Sequence, residues 1–368
     1  VGDIEQGTLL VEDGKFISVG ADVDVPTGAE VIDATGKYVT PGLIDAHTHI
    51  GLVSFSETSS PFTPQVRILD SIDLSAPGFE DALLSGVTTV IITPGSTPVI
   101  CGTSIAIKTA GRDLSTRILR DPAGMKMAWR KGSNLPSQDI PYPVSRMGIA
   151  GIIRIALTET QNYMAKREQD LVPTDPGQEA LAMALRMEIP IRIHSFTPVE
   201  IQAIMRLQDE FGFNFTVEHS FEAHFIADEL ASRNIPVVYG PGPGLRRHKM
   251  FPFRGPHVPA ILHRAGVKVS LQTDHPDRSI KQLRLFGAIL PRYTDLTVDE
   301  VMQMLTINGA DIIGVADRVG SIEPGKDADF AIFSDHPLKI QSRVEQLYID
   351  GEQVVRDGVV IIEPLPAA

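Results

Sequence analysis

Two histidines stand two residues apart in Gly42-Leu43-Ile44-Asp45-Ala46-His47-Thr48-His49. In a strand, residues i and i+2 project to the same face. His47 and His49 therefore converge, and two convergent imidazoles make half of a divalent-metal site. A lone triplet of this kind says little. Three further strand-like runs also end in ligand-type residues: Ile191-Arg192-Ile193-His194, Val217-Glu218-His219, and the run from Val267 to Asp274. The candidate ligand set is His47, His49, His194, His219 and Asp274. Imidazoles with a carboxylate suit zinc and other first-row divalent ions. Such an ion lowers the pKa of bound water from 15.7 to about 7 and polarises carbonyls as a Lewis acid. Asp274 then takes the proton of the attacking water and passes it to a leaving amine, the dual role of a carboxylate within hydrogen-bond reach.

A second metal needs a bridging ligand. A lysine serves once its neutral amine has reacted with carbon dioxide to give a carbamate, and burial favours the neutral amine. Two lysines qualify by alternation. Lys126 lies in Gly124-Met125-Lys126-Met127-Ala128, and Lys108 in Ser104-Ile105-Ala106-Ile107-Lys108. The plain alternative for either is a lysine paired with a carboxylate or reaching solvent.

These residues need a scaffold that gathers strand ends. Residues 41–316 alternate apolar strands with helix-length segments, the pattern of parallel strands joined by crossover helices. Candidate strands fall at 43–49, 88–93, 104–108, 123–128, 189–194, 213–219, 235–239 and 267–274. Eight strands over this length match a closed (β/α)₈ barrel, a fold of ~250 residues whose catalytic groups sit at the C-terminal strand ends. The runner-up is a doubly wound open sheet, but no Gly-rich nucleotide loop follows the first strand. Alternation supports the barrel. Val267, Val269 and Leu271 oppose Ser270, Gln272 and Asp274, and Ile191 and Ile193 oppose Arg192 and His194. Likewise Ile44 and Ala46 oppose Asp45, His47 and His49. The two chain ends read differently, as short strands broken by turns. Asp13-Gly14 marks a hairpin between 8–12 and 15–20. A second hairpin is expected from Val31-Ile32-Asp33 to Tyr38-Val39. C-terminal strands are expected near 328–333, 344–349, 354–355 and 359–362. Residues 1–40 and 317–368 thus predict one small β-sandwich domain beside the barrel of 41–316.

The chain has 368 residues, 43 % hydrophobic and only 6 % aromatic, so aliphatic packing dominates its core. Its net charge of −13 argues against nucleic-acid binding, which needs clustered positive charge. No apolar run is long enough to span a bilayer, so no membrane partner is expected. Cys101 is the single cysteine, which rules out an internal disulfide and points to a reducing, cytoplasmic setting. The chain starts at Val1, already close to strand-like sequence, and whether a native first segment precedes it stays open.

Thr40-Pro41-Gly42-Leu43-Ile44-Asp45-Ala46-His47-Thr48-His49 closely resembles the amidohydrolase superfamily. So do Gly320-Ser321-Ile322-Glu323-Pro324-Gly325-Lys326-Asp327-Ala328-Asp329 and Thr306-Ile307-Asn308-Gly309-Ala310. The resemblance covers nearly the whole chain and is strongest to the imidazolonepropionase-related and prolidase-like branch. It implies a distorted (β/α)₈ TIM barrel with an appended β-sandwich. It also implies ligands from strands one, five, six and eight, which fall on His47, His49, His194, His219 and Asp274. Gly124-Met125-Lys126 resembles the strand-four lysine that hydantoinase-like members carbamylate, which favours Lys126 over Lys108. One departure stands out. Relatives carry a Gly-Glu-Asn-Pro-like run after that strand, where this chain has Trp129-Arg130-Lys131-Gly132-Ser133-Asn134. Metal count, one ion or two, stays open on that account.

The expected activity is metal-dependent hydrolysis of an amide-type C–N bond in a small molecule: a cyclic amide, an N-acyl compound or a dipeptide. His47, His49 and His194 hold metal. His219 holds a second ion or helps polarise the carbonyl, and Asp274 shuttles the proton. The alternatives are a deaminase acting on a ring amidine and a non-catalytic scaffold of the same fold. A cationic loop at 246–249 is a candidate grip for a substrate carboxylate, and a solvated basic loop is its plainer reading. Glu222 and His224 line the pocket or cap the next helix, and His275 adjoins Asp274. A homo-oligomer is consistent with a chain of this class, though nothing in the sequence derives it.

Overall fold

The computed structural model describes residues 3–129, 143, 145–242 and 249–362. Asp13 and Gly14, with φ of 49° and 75°, make the left-handed pair that a tight hairpin requires. They join β1 (Thr8–Glu12) to β2 (Lys15–Gly20). The second expected hairpin does not form. Val31-Ile32-Asp33 is irregular and exposed, and Asp33 instead accepts the Thr35 amide in a local turn. Three residues with no apolar partner have too little to bury. β3 (Tyr38–Pro41) pairs far along the chain instead.

Eight strands then follow in one sheet, hydrogen-bonded in sequence order. They are β4 (Leu43–Thr48), β5 (Val87–Ile92), β6 (Ile100–Lys108), β7 (Ile118–Ala128), β8 (Ile191–Ser195), β9 (Phe215–His219), β10 (Val237–Tyr239) and β11 (Val269–Leu271). The sheet nearly closes into a barrel. Its last and first strands meet through a bridge of Thr48 with His275, and the Asp274 amide donates to the His47 carbonyl at 3.2 Å.

The parallel expectation fails at one strand. β6 runs antiparallel to both β5 and β7. No helix separates β5 from β6, and only the single turn Leu114–Arg117 separates β6 from β7. Without a crossover helix a chain must reverse, so neighbouring strands pair antiparallel. This is the barrel's main distortion.

Apolar residues divide between two faces. Val90, Ile92, Ile105, Ile107, Met125, Met127, Ile191, Ile193, Val217, Val237 and Leu271 pack outward against the helices. Ile91, Ala106 and Val238, which alternate with them, point inward and form a separate cluster with Ile44, Ala46 and Ala123. The helix Ile307–Ile313 caps this lower interior. Its Asn308 amide donates to the Val269 carbonyl at 3.0 Å, and Gly309 packs on Ile44 and Ser270. Burying each aliphatic side chain stabilises the barrel by roughly 1.5–3 kcal/mol.

The chain returns through β12 (Phe330–Phe333), β13 (Val344–Ile349), β14 (Glu352–Arg356) and β15 (Val359–Val360). With β3 these form a five-stranded sheet in the order β15-β14-β13-β12-β3. Phe16 of β2 packs with Phe330, Ile332 and Tyr348 of that sheet. Both chain ends therefore share one small β-unit. Among the described residues, no helix is long and apolar enough to cross a membrane.

Candidate metal centre

Simple alternation keeps His47 and His49 on one face but does not aim that face into the barrel. Ile44 and Ala46 lie on the inward face, so an unbroken strand would turn His47 away. The register of β4 against β5 slips between Asp45 and Thr48. That irregularity, beside the strand's end, lets both imidazoles turn into the barrel. Their Nε2 atoms each lie 3.3 Å from Asp274 Oδ1. β9 solves the same problem differently. Phe215 and Val217 face out and Thr216 and Glu218 face in, so His219 should face out. Its φ of 70° rotates it inward instead. Asp274, with φ of 56°, is also left-handed. Such backbone costs of order 1–3 kcal/mol per non-glycine residue and persists only where surrounding structure holds it.

One ligand atom each from His47, His219 and Asp274 lies within 4.8 Å of the others. His194 joins them, its ring 4.1 Å from that of His219. The rings are each held from behind through Nδ1. His47 Nδ1 lies 2.6 Å from Glu218 Oε2, His49 Nδ1 2.7 Å from the Thr93 carbonyl, and His219 Nδ1 3.0 Å from the Gly240 carbonyl. These oxygens only accept, so at His47 and His49 Nδ1 carries the proton and the neutral ring leaves Nε2 bare, while His219 Nδ1 also lies 3.1 Å from the Gln272 amide nitrogen. His194 Nδ1 meets Ser96 Oγ at 2.8 Å. The Nε2 atoms of His47, His194 and His219 are buried and make no hydrogen bond, as is Lys126 Nζ. Orphaned buried acceptors of this kind, braced from behind, are the donor set a divalent ion fits.

Electrostatics favour the same state. Burial lowers the imidazolium pKa of His49 and His194, and holds that of His219 down at about 3. The rings are thus neutral at physiological pH, as ligation requires. Burial by itself would raise the Asp274 carboxyl, but the His219, His47 and His49 rings outweigh it and keep it well below the ordinary carboxylate range. Burial likewise pushes the Lys126 ammonium down, towards a free amine.

The two lysines separate cleanly. Lys126 is fully buried, and Glu218 and Asp274 are among the charges that act on it. Lys108 is also fully buried but pairs with Asp327 at 2.8 Å, Asp329 at 2.9 Å and Asp350 at 2.6 Å. Because β6 is antiparallel, its C-terminal end lies at the opposite mouth of the barrel. Alternation gave the right face and the wrong end.

Three polar groups in the barrel were given no role by the sequence reading. Glu218 bonds His47, and Arg192 bonds Glu218 at 2.8 Å. Asp45 accepts the Thr273 hydroxyl at 2.5 Å and its amide at 3.2 Å, tying β4 to the end of β11. Each was visible as a charged residue alternating with aliphatic ones in a strand. Glu222 accepts the Phe253 amide at 3.3 Å and makes no side-chain helix cap. His224 packs against His257, their ring centres 5.0 Å apart. His275 touches the site through its backbone, its carbonyl accepting the His49 amide at 2.8 Å. Arg246, Arg247 and His248 of the cationic loop lie outside the described residues, as do Arg130 to Asn134.

A barrel whose mouth gathers neutral imidazoles and an anionic aspartate defines a metal-dependent hydrolase class. Comparison with known proteins identifies which. The amidohydrolase family model matches residues 255–361. The solved amidohydrolase from Thermotoga maritima MSB8 is 38 % identical, superposes with a TM-score of 0.88, and covers 95 % of this chain and 94 % of its own. Imidazolonepropionase of Geobacillus kaustophilus is 27 % identical over 98 % of this chain and 93 % of its own length. Amidohydrolase tasK of Hapsidospora irregularis is 28 % identical over 97 % of this chain, which spans only 41 % of that longer protein. The chain belongs to the amidohydrolase family. It is a hydrolase of carbon–nitrogen bonds, in a family that generally binds a divalent metal and acts on small molecules.

Proposed function

We propose that this protein hydrolyses an amide-type C–N bond in a small cyclic amide, N-acyl compound or dipeptide, with zinc held by His47, His49, His194, His219 and Asp274. The observation that carries this reading is the group of buried Nε2 atoms of His47, His194 and His219, which make no hydrogen bond, gathered near an Asp274 carboxylate that lies 3.3 Å from Nε2 of His47 and of His49. When bound, the ion supplies Lewis acidity to the substrate carbonyl and acidifies water. Asp274 does the proton work. Anionic and 19 % exposed in its side chain, it accepts a proton from the attacking water and delivers it to the leaving nitrogen as the C–N bond breaks. The buried rings exclude bulk water from the reacting atoms.

Lys126 makes a two-ion version chemically accessible. Its neutral amine would add to carbon dioxide, losing one proton, and the resulting carbamate would offer oxygen ligands for a second ion. The barrel of 41–316 carries this chemistry, residues 1–40 and 317–368 scaffold it, and the setting is cytoplasmic.

Metal content per chain, measured by elemental analysis on protein purified without added metal, tests the reading. Two equivalents support the carbamylated Lys126. One equivalent removes Lys126 from the site and turns substrate screening towards cyclic amides and ring deamination. No metal, with none taken up on titration, overturns the proposal.

A further inference from the structure

A buried charge pair stands directly behind the candidate metal centre. Arg192 is among the largest fully buried side chains of the protein. Its Nη2 donates to Glu218 Oε1 at 2.8 Å and to the Ala46 carbonyl at 2.7 Å. Glu218, also fully buried, receives the Thr216 hydroxyl on Oε1 at 2.9 Å and His47 Nδ1 on Oε2 at 2.6 Å. The three residues come from β8, β9 and β4, so the relay crosses the barrel interior rather than following one strand.

We infer that Glu218, held by Arg192, is a positioning residue for the metal: it fixes the His47 ring with Nδ1 protonated and Nε2 bare beside Asp274. The inference rests on the metal-centre reading above and adds to it the group that sets a ligand's orientation. Charge logic supports it. An isolated carboxylate in a dry interior neutralises itself. Arg192 supplies the counter-charge 2.8 Å from one carboxylate oxygen, and the other oxygen stands 2.6 Å from His47 Nδ1 as its acceptor. The same guanidinium bonds the carbonyl of Ala46, the residue before His47, so ring and backbone are gripped together. Gly124 makes room for it. A Cβ there would lie 2.6 Å from Arg192 Cδ. A purely structural pair would have no reason to spend its remaining carboxylate oxygen on an imidazole of the metal centre.

The test is zinc affinity of the full chain, stripped and reloaded, measured by chelator competition at pH 7.5. Glu218→Gln is expected to weaken zinc binding by ~10–100-fold, the usual effect of removing an anionic partner of a ligating histidine. Its cobalt-loaded form should show a shifted visible spectrum. Because this variant leaves Arg192 unpaired, Arg192→Met/Glu218→Gln is measured alongside it, removing both charges. Folding of the double variant with zinc affinity still reduced supports the inference. A wild-type affinity in either folded variant overturns it, since Glu218 would then serve only to neutralise Arg192. Wild-type protein that takes up no zinc overturns the metal reading itself, and the inference with it.

Discussion

Asp274 sits where one carboxylate oxygen meets two imidazole nitrogens at 3.3 Å each. Asp274→Asn keeps the shape and loses the base. We expect kcat to fall ~10²–10⁴-fold, the range of a general acid–base contribution, in steady-state assays at saturating metal. Near-wild-type turnover would remove the proton-shuttle role. Lys126→Ala should lower metal content and activity, with partial recovery in short carboxylic acids such as acetate, and unchanged metal content would exclude it as a ligand. The histidines also predict a pH dependence. Burial holds His219 at about 3 in the fold, against about 6.5 in the unfolded chain. Between those values the unfolded state binds the extra proton. The stability this ring contributes is therefore present above pH 6.5 and lost as pH falls towards 3. Metal-free protein should melt progressively lower at pH 6.0 and 4.5 than at 7.5. A flat profile would mean the ring is solvated.

At the scale of elements, the site depends on strands ending irregularly. The slipped register of β4 and the left-handed residue His219 aim side chains that regular strands would send elsewhere. β7 and β8 matter through their close approach at Gly124. Gly124→Ala forces Arg192 or the Pro190 carbonyl to move, since its Cβ would lie 2.6 Å and 3.1 Å from them. Overpacking of this sort costs roughly 1–3 kcal/mol, readable as a lower midpoint in urea unfolding. An unchanged midpoint would show that the strands separate freely there. Why two of these turns were hidden from the sequence is plain. A one-residue slip or a positive φ at a non-glycine residue reverses the outcome of alternation and leaves no compositional trace.

Across the whole molecule, Lys108 fastens the barrel to the small β-unit. It reaches three carboxylates, two of them at the start of the C-terminal strands, and Asp327 also pairs with Lys15 and with Arg318 at 2.7 Å. Lys108→Met strands the buried Asp329 carboxylate and weakens the rest. The expected loss is about 3–5 kcal/mol, as for other buried pairs with one partner removed. Calorimetry should show lower stability while the folded fraction keeps its metal content, because the cluster lies at the other end of the barrel. A loss of metal at unchanged stability would place Lys108 at the active mouth instead.

The sequence by itself determined where the eight barrel strands lie, that both termini build a second β-unit, and which histidines and aspartate end those strands. Burial imposes these features locally: a strand packed against helices must alternate, and its ending residue types are written in the chain. Only the tertiary structure decided that β6 runs backwards, that Val31-Ile32-Asp33 stays unpaired, and that Lys108 belongs to a salt-bridge cluster. It alone brought Arg192 and Glu218 behind His47. Strand direction and cross-barrel contact depend on how distant segments close around one interior, and no local window of residues contains that information.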